Sequence, residues 1–291
     1  MKIRVLVTGA NGQLGKTISD LSSSYSESLE FICLNKSQLD ISDKDGVHKF
    51  FTENSFDYCI NCAAYTNVDL AQKEYETAIN INAIGAKHLA LSCKENQVVL
   101  IHMSTDYVFN GNQTRPYTES DETNPINSYG KSKLLGENYI KESTSDYFII
   151  RTSWLYSQFN NNFVKTIYNK LSNDEKLNIV TSQKGTPTSC IDLAKFILFL
   201  VENQIKSFGI YHFSASGNTT WFGLATHIAE YVNKASNVKP IAHYDTLAER
   251  PLYSVLDNQK VIRLTKTDQP NWRKSVNIVL NALSISSDSK H

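Results

Sequence analysis

The sequence carries no surplus of charge of either sign. Its 29 lysines and arginines balance 29 aspartates and glutamates, so the formal charge is zero and nothing in that balance points to a nucleic-acid partner. Long apolar runs are also missing. None approaches the roughly 18 residues that a membrane-crossing helix needs, so no membrane partner is expected. The first residues, Met1-Lys2-Ile3-Arg4-Val5-Leu6-Val7, reach Gly9 without the apolar stretch and small-residue cleavage site of a signal peptide. A cytoplasmic protein is therefore expected. Cysteine is scarce: Cys33, Cys59, Cys62, Cys93 and Cys190 make an odd number whose spacing suggests no disulfide framework. Cys59 and Cys62 match a CxxC pattern by letter, but residues 56–64 read as a strand, where positions three apart point to opposite faces. They are read as small buried residues rather than as a redox or metal pair. With 41% hydrophobic and 20% charged residues over 291 positions, a folded core needs neither disulfides nor metal.

What is present is an alternation of short apolar runs and amphipathic stretches. Residues 2–8 form an apolar, β-rich run that ends at Gly9, Gly12 and Gly15, and Leu14, Ile18 and Leu21 follow at helical spacing. Further strands are expected at 29–34, 58–62, 97–103 and 147–152, and helices at 42–54, 75–93 and 128–142. The segment 58–62 is the third or the fourth strand, depending on whether 38–41 joins the sheet. Buried strands alternating with helices predict an α/β fold, a Rossmann-like doubly wound parallel sheet. Residues 110–127 are rich in turn formers and read as a loop. Beyond them, helices are expected at 162–173, 191–201, 221–232 and 276–283, extended segments at 176–181 and 209–213, and polar turns over 240–274. No linker divides the chain. The reading is a dinucleotide-binding domain over 1–155 and a smaller substrate lobe over 156–283, partly interleaved because 185–213 return to the first domain. Residues 284–291 read as a frayed tail.

The stretch Gly9-Ala10-Asn11-Gly12-Gln13-Leu14-Gly15 joins a strand to a helix through three glycines. A tight turn and a close approach to a pyrophosphate need residues without a Cβ, and free N–H groups at the helix start cradle negative charge. The spacing is GxxGxxG rather than GxGxxG, and its place between strand and helix supports dinucleotide binding. At the end of the second strand an acidic residue would bind the ribose of NAD. Here Lys36 stands instead, which favours NADPH, with NADH as the alternative and a plain surface lysine as the other reading. Asp40 and Ile41 are expected to border the adenine. Cys62, Ala63 and Ala64 end the next strand, where small side chains let a cofactor lie close.

Tyr129 and Lys133 are four apart at the start of a helix and share one face. A nearby ammonium is expected to favour the phenolate and so ease proton transfer, while the lysine also holds the nicotinamide ribose. Thr105 lies at the carboxyl edge of the fourth apolar run, where an open parallel sheet places its ligand crevice. Its hydroxyl can donate to a ketone oxygen that gains charge. Asp106 is read as an acceptor for sugar hydroxyls, and His102 as a packed strand histidine.

These residues resemble the dTDP-4-dehydrorhamnose reductase family of extended short-chain dehydrogenase/reductases. The resemblance runs from about residue 2 to 283. It is carried by the glycine turn, by Asn61-Cys62-Ala63-Ala64-Tyr65-Thr66-Asn67-Val68-Asp69 (similar to the family's fourth-strand motif), by Ser104-Thr105-Asp106-Tyr107-Val108-Phe109, and by Tyr129-Gly130-Lys131-Ser132-Lys133. Arg151-Thr152-Ser153-Trp154-Leu155-Tyr156, Gly185-Thr186-Pro187-Thr188 and Arg250-Pro251 continue it. The resemblance implies an NADPH-dependent reduction of the C4 ketone of dTDP-4-dehydro-β-L-rhamnose. Tyr129 would be the proton donor, Thr105 would bind the reacting oxygen, Lys133 would assist, and Asp106, Tyr107 and Trp154 would line the sugar pocket. A related reductase of another 4-keto-6-deoxy nucleotide sugar is the first alternative. A non-catalytic NADP-binding regulatory subunit is the second.

Three stretches depart from the family. Asp69-Leu70-Ala71-Gln72 stands where Asp-Lys-Ala-Glu is common, which removes two charges near the crevice. Arg250-Pro251-Leu252-Tyr253-Ser254-Val255-Leu256 keeps the usual fixed letters but has Val255 where many members are polar. Ser189-Cys190-Ile191-Asp192 lacks the glutamate with which some bacterial members hold magnesium in a dimer. Magnesium is therefore left open, no residue is assigned to a metal, and monomer and homodimer both stand.

Overall fold

A computed structural model describes residues 2–288, with side chains characterised through residue 285. Five strands, β1 (Ile3–Thr8), β2 (Leu29–Leu34), β3 (Tyr58–Asn61), β4 (Val99–Thr105) and β5 (Tyr147–Thr152), join the later strand Gly209–His212 in one sheet. The order across it is Gly209–His212, β5, β4, β3, β1, β2, and every pairing is parallel. The chain order reverses between β1 and β3, so the crevice beyond their carboxyl ends is the natural ligand position. Residues 38–41 stay out of the sheet, and Tyr58–Asn61 is its third strand.

Alternation along the strands sorts the side chains into two cores. Val5, Val7, Tyr58, Ile60, Val99, Ile101, Phe148 and Ile150 face one side, where helix α1 (Gln13–Leu21) and the apolar helix Cys190–Glu202 cover them. Leu6, Cys59, Leu100 and Ile149 face the other side, beneath Val47 and Phe51 of helix α2 (Lys44–Glu53), Leu89 and Ile140. Cys59 and Cys62 belong to these opposite sides, and all five cysteines are free. A third apolar cluster lies under the helices Phe163–Ser172, Trp221–Tyr231 and Trp272–Asp288, around the strand pair Leu177–Val180 and Val238–Ile241.

Several expectations shift. The helix expected over 75–93 is broken into Tyr75–Ile79, a π-helical turn Asn80–Ile84, and Gly85–Glu95. Asn82 in that turn holds the backbone of Tyr65 with both ends of its amide and donates to Ser132 Oγ. Such π turns recur at functional sites. Two short helices were not expected. Val68–Lys73 starts where Asn67 Oδ1 accepts the Leu70 N–H, and Gln259–Thr265 is short and buries only Val261. The last helix is longer than the expected 276–283 and runs Trp272–Asp288, so the segment read as a tail is helical to residue 288. The rest of that expected tail, 289–291, lies outside the described residues.

Candidate active site

The turn after β1 packs too tightly for side chains. Gly9 has φ +67°, and a Cβ there would lie 2.5 Å from the Ala63 nitrogen. A Cβ on Gly15 would lie 2.6 Å from the Gly9 carbonyl oxygen. Gly12 differs: it lines a cavity at the sheet's carboxyl edge, and its Cβ would meet only the Gly9 oxygen, at 3.2 Å. Gly12 also caps α1 without a side-chain acceptor, so the first N–H groups of that helix are left for an anion. A dinucleotide pyrophosphate fits this cradle.

A strap from the second half of the chain braces the turn. Asn160 donates from Nδ2 to the Asn11 carbonyl at 2.7 Å, and its Oδ1 accepts from Lys16 Nζ at 2.9 Å. Gln13 Oε1 accepts from Ser157 Oγ at 3.1 Å and from Asn162 Nδ2 at 2.9 Å. Gln13 and Leu14 line the cavity, while Asn11 takes part through its backbone.

That cavity, about 550 Å³, gathers the chemistry expected from sequence. Gly12, Cys62, Ala64, Thr105, Asp106, Tyr107, Tyr129, Lys133 and Trp154 all line it. Ala63 contributes its backbone N–H to Asn61 and packs on Gly9. Thr105 ends β4, and its Oγ1 donates to Asp106 Oδ1 at 3.0 Å. Asn127 caps the helix Ser128–Ser143 by accepting the Gly130 N–H at 2.8 Å, which sets Tyr129 and Lys133 in its first turns.

Burial governs the ionisation here. It pushes the Tyr129 phenol up to about 12, with Thr105 beside it pulling the other way and the Asp106 charge adding to the rise. The expected lowering by Lys133 is absent from the protein itself. The Lys133 Nζ is held instead by the Met103 carbonyl at 2.6 Å and by His102 Nε2 at 3.1 Å. Burial also pulls the Lys133 ammonium down to about 8, against the opposing charge of Glu137. Asp106 is buried, and burial pushes its carboxyl up to about 7, against Ser254 and Thr105, which favour its charge. Asp106 Oδ2 and Thr152 Oγ1 find no partner of hydrogen-bond geometry, although both residues line the cavity. Buried polar atoms left so are costly unless a ligand completes them.

Beneath the cavity floor, Glu137 fixes the helix to the sheet. It accepts from Ser104 Oγ at 2.5 Å and from Arg151 Nε and Nη2 at 2.9 and 2.7 Å. The aromatic wall was only half foreseen. Trp154 does line the cavity, but its ring stacks on Trp221 at 3.6 Å, and Gly185 is small because the same indole lies against it. Thr219-Thr220-Trp221 also belongs to the family resemblance, but the stacking of Trp221 on Trp154 joins distant segments and no local pattern encodes it.

The adenine-side residues are placed less tellingly. Lys36 is 73% exposed and pairs with Asp40 at 3.6 Å. Asp40 is spoken for by Ser42, whose N–H and Oγ both donate to it. Ile41 is buried and packs against Gly85. The departures from the family pattern have local explanations. Gln72 Oε1 accepts the Ser128 N–H at 3.1 Å and so does the work of a capping acceptor without charge. Leu70 faces solvent. Val255 is buried and its carbonyl accepts the Tyr117 N–H. Asp69 keeps a partner, Arg250, at 2.8 Å.

Among the described residues, no group of three or more His, Cys, Asp or Glu side chains is placed to hold a metal ion. No helix among them is long and apolar enough to cross a membrane.

Comparison with known proteins agrees with this geometry. Residues 1–285 match the family model described as RmlD substrate binding domain. The chain is 37% identical to the spore coat polysaccharide biosynthesis protein SpsK of Bacillus subtilis, across 98% of this chain and 99% of that one. It is 34% identical to the dTDP-4-dehydrorhamnose reductase of Aggregatibacter actinomycetemcomitans, across 94% and 97%. Its fold superposes on the crystal structure of dTDP-4-dehydrorhamnose reductase from Bacillus anthracis in complex with NADP, with TM-score 0.92 and 38% identity over 97% of this chain and 100% of that one. With a glycine turn at the start of α1 and a buried Thr-Tyr-Lys cluster opening on one crevice, the chain belongs to the RmlD substrate binding domain family.

Proposed function

We propose that the protein reduces the C4 ketone of dTDP-4-dehydro-β-L-rhamnose to give dTDP-β-L-rhamnose, using NADPH. The observation that carries this reading is the convergence of Thr105, Tyr129 and Lys133 on the same cavity as Gly12. Gly12, Gln13 and Leu14, with the N–H groups of α1, would hold the cofactor pyrophosphate, and Cys62, Ala63 and Ala64 would let it lie close. NADPH supplies the hydride when bound.

The remaining chemistry belongs to the chain. Tyr129 is fully protonated at neutral pH, because burial holds its phenol near 12, and that is the state a proton donor to a nascent alkoxide requires. Thr105, its single hydroxyl proton turned from Asp106 Oδ1, would donate a hydrogen bond to the reacting oxygen as its charge builds. Asp106, with one oxygen unpartnered, would accept from a sugar hydroxyl. Tyr107, whose ring meets Tyr129 edge-on at 5.9 Å, would fix the donor's orientation, and Trp154 with Trp221 would form the apolar wall for the deoxysugar.

The test is NADPH oxidation with purified protein and this substrate, followed by absorbance, with the product's C4 configuration determined. Turnover to the rhamnose epimer is expected. Cofactor binding without turnover would overturn the substrate assignment.

A further inference from the structure

A buried row of polar side chains crosses the carboxyl edge of the sheet, from Thr8 on β1 through Asn61 on β3 and His102 on β4 to Lys133. All four are nearly or wholly inaccessible to solvent. Their hydrogen bonds have a direction that can be deduced. Thr8 Oγ1 donates to Asn61 Oδ1 at 2.7 Å, and the Ala63 backbone N–H donates to the same oxygen at 3.1 Å. A backbone N–H can only donate, so Oδ1 must face it and the Asn61 amino group must face His102. That amino group lies 3.0 Å from His102 Nδ1 and can only donate, so Nδ1 is an acceptor. A neutral His102 then carries its proton on Nε2, which points at Lys133 Nζ 3.1 Å away.

An ammonium has three donors and no acceptor, so it cannot receive that Nε2–H. The free amine has a lone pair and can. The Met103 carbonyl, 2.6 Å from the same nitrogen, accepts from either form. The other charged groups nearby are already committed. Glu137, one turn along the helix, is fully engaged by Arg151 and Ser104, and Tyr129 lies one turn back. We propose that His102 is a positioning residue which, as its Nε2–H tautomer, clasps Lys133 as a free amine, so that uptake of a solvent proton by Lys133 breaks the clasp and releases Nζ from the sheet edge.

The directions of both ionisations agree. Burial holds the His102 imidazole well below its ordinary value, so the ring stays neutral, and burial lowers Lys133 to about 8, so the clasp belongs to the alkaline side of that value. The inference rests on the reading of Lys133 as part of an oxidoreductase site. It gives His102, which the reaction otherwise leaves without a task, control over when that lysine is charged.

The test is nitrogen NMR of the full-length, ligand-free protein labelled at histidine, in which the two ring nitrogens report their protonation directly. The His102 signals are assigned by their loss in His102→Gln, or by their displacement in Lys133→Met if the first variant does not fold. The expected result is a pyrrole-like Nε2 and a pyridine-like Nδ1 from pH 6 to 9, with the Nε2 resonance shifting as Lys133 takes up its proton near pH 8; an Nε2 resonance that stays flat across that range overturns the clasp. A second variant, Asn61→Asp, replaces the donor facing Nδ1 with an acceptor at equal size. It should move the proton to Nδ1, turn Nε2 into an acceptor for ammonium, and raise the proton affinity of Lys133 roughly tenfold, read from its side-chain carbon shifts. A wild-type proton on Nδ1, or an imidazolium forming in that pH range, overturns the proposal. So does an Asn61→Asp protein with an unchanged tautomer. None of these readouts uses turnover, so failure of the proposed reaction and failure of this inference are separately visible.

Discussion

Replacing Asp106 with asparagine should stabilise the protein, and the gain should depend on pH. The residue is 2% exposed, and burial raises its carboxyl from 3.8 to about 7. The folded protein thus holds a proton that the unfolded chain loses near pH 4. Where the native state binds more protons than the unfolded state, stability falls as pH rises. The loss therefore develops from about pH 4 to about pH 7 and is complete above that. Three units of displacement correspond to about 4 kcal/mol between the protonation states, which sets an upper bound. Asp106→Asn cannot ionise and escapes the loss. Its advantage over wild type should be small near pH 4 and reach about 2–4 kcal/mol at pH 8. Urea unfolding of the ligand-free proteins across this range measures the difference directly. Parallel stability curves with no growing gap would refute the assignment of a strained, buried carboxylate. In turnover assays the variant should bind the sugar substrate more weakly, since stability gained at a site of this kind comes at the expense of function.

Four further outcomes are expected. Arg151→Met should cost about 3–5 kcal/mol, because it strands Glu137 as a buried charge, and pairing it with Glu137→Met should recover most of the loss in urea titrations; full additivity would contradict the coupling. Tyr129→Phe should lower turnover by about 10²–10⁴-fold with NADPH affinity preserved, as measured by fluorescence titration. Gly9→Ala combines a positive φ with a clash against the Ala63 backbone, and should lose NADPH binding and destabilise the fold by more than about 1 kcal/mol. Lys36→Ala should weaken NADPH more than NADH if the lysine meets a 2′-phosphate, and equal effects on the two affinities would leave it as the partner of Asp40 alone.

The sheet was legible because its strands are short, apolar and bounded by turn residues. The expected limits of 147–152 coincide with β5, and the glycine turn falls at the expected β1–α1 junction. Legibility failed where the deciding contact is distant in sequence. The π turn at Asn80–Ile84 depends on Asn82 reaching Tyr65 and Ser132, and no periodicity encodes that. Gln259–Thr265 has too few apolar positions to show a stripe. At the site, the spacing of Tyr129 and Lys133 put them on one helix face, but not the direction in which Lys133 points. The lysine's hold on Met103 and His102 is a tertiary fact, and so is the stacking of Trp154 on Trp221. His102 read as packing because an isolated strand histidine usually is. Its partners Asn61 and Lys133 are 41 and 31 residues away.

The strap over the glycine turn has a consequence for assembly of the nascent chain. β1, the turn and α1 are made within the first 21 residues, from local contacts that form early. The bonds from Ser157, Asn160 and Asn162 to Gln13 and Asn11 close loops of 144 to 149 residues. Loop closure on that scale waits until the intervening sheet has condensed. A ribosome-bound chain that ends before residue 157 therefore displays the phosphate cradle without its brace. The glycine turn is braced by the half of the protein synthesised last, and a fragment limited to the first five strands would carry the motif but not its brace.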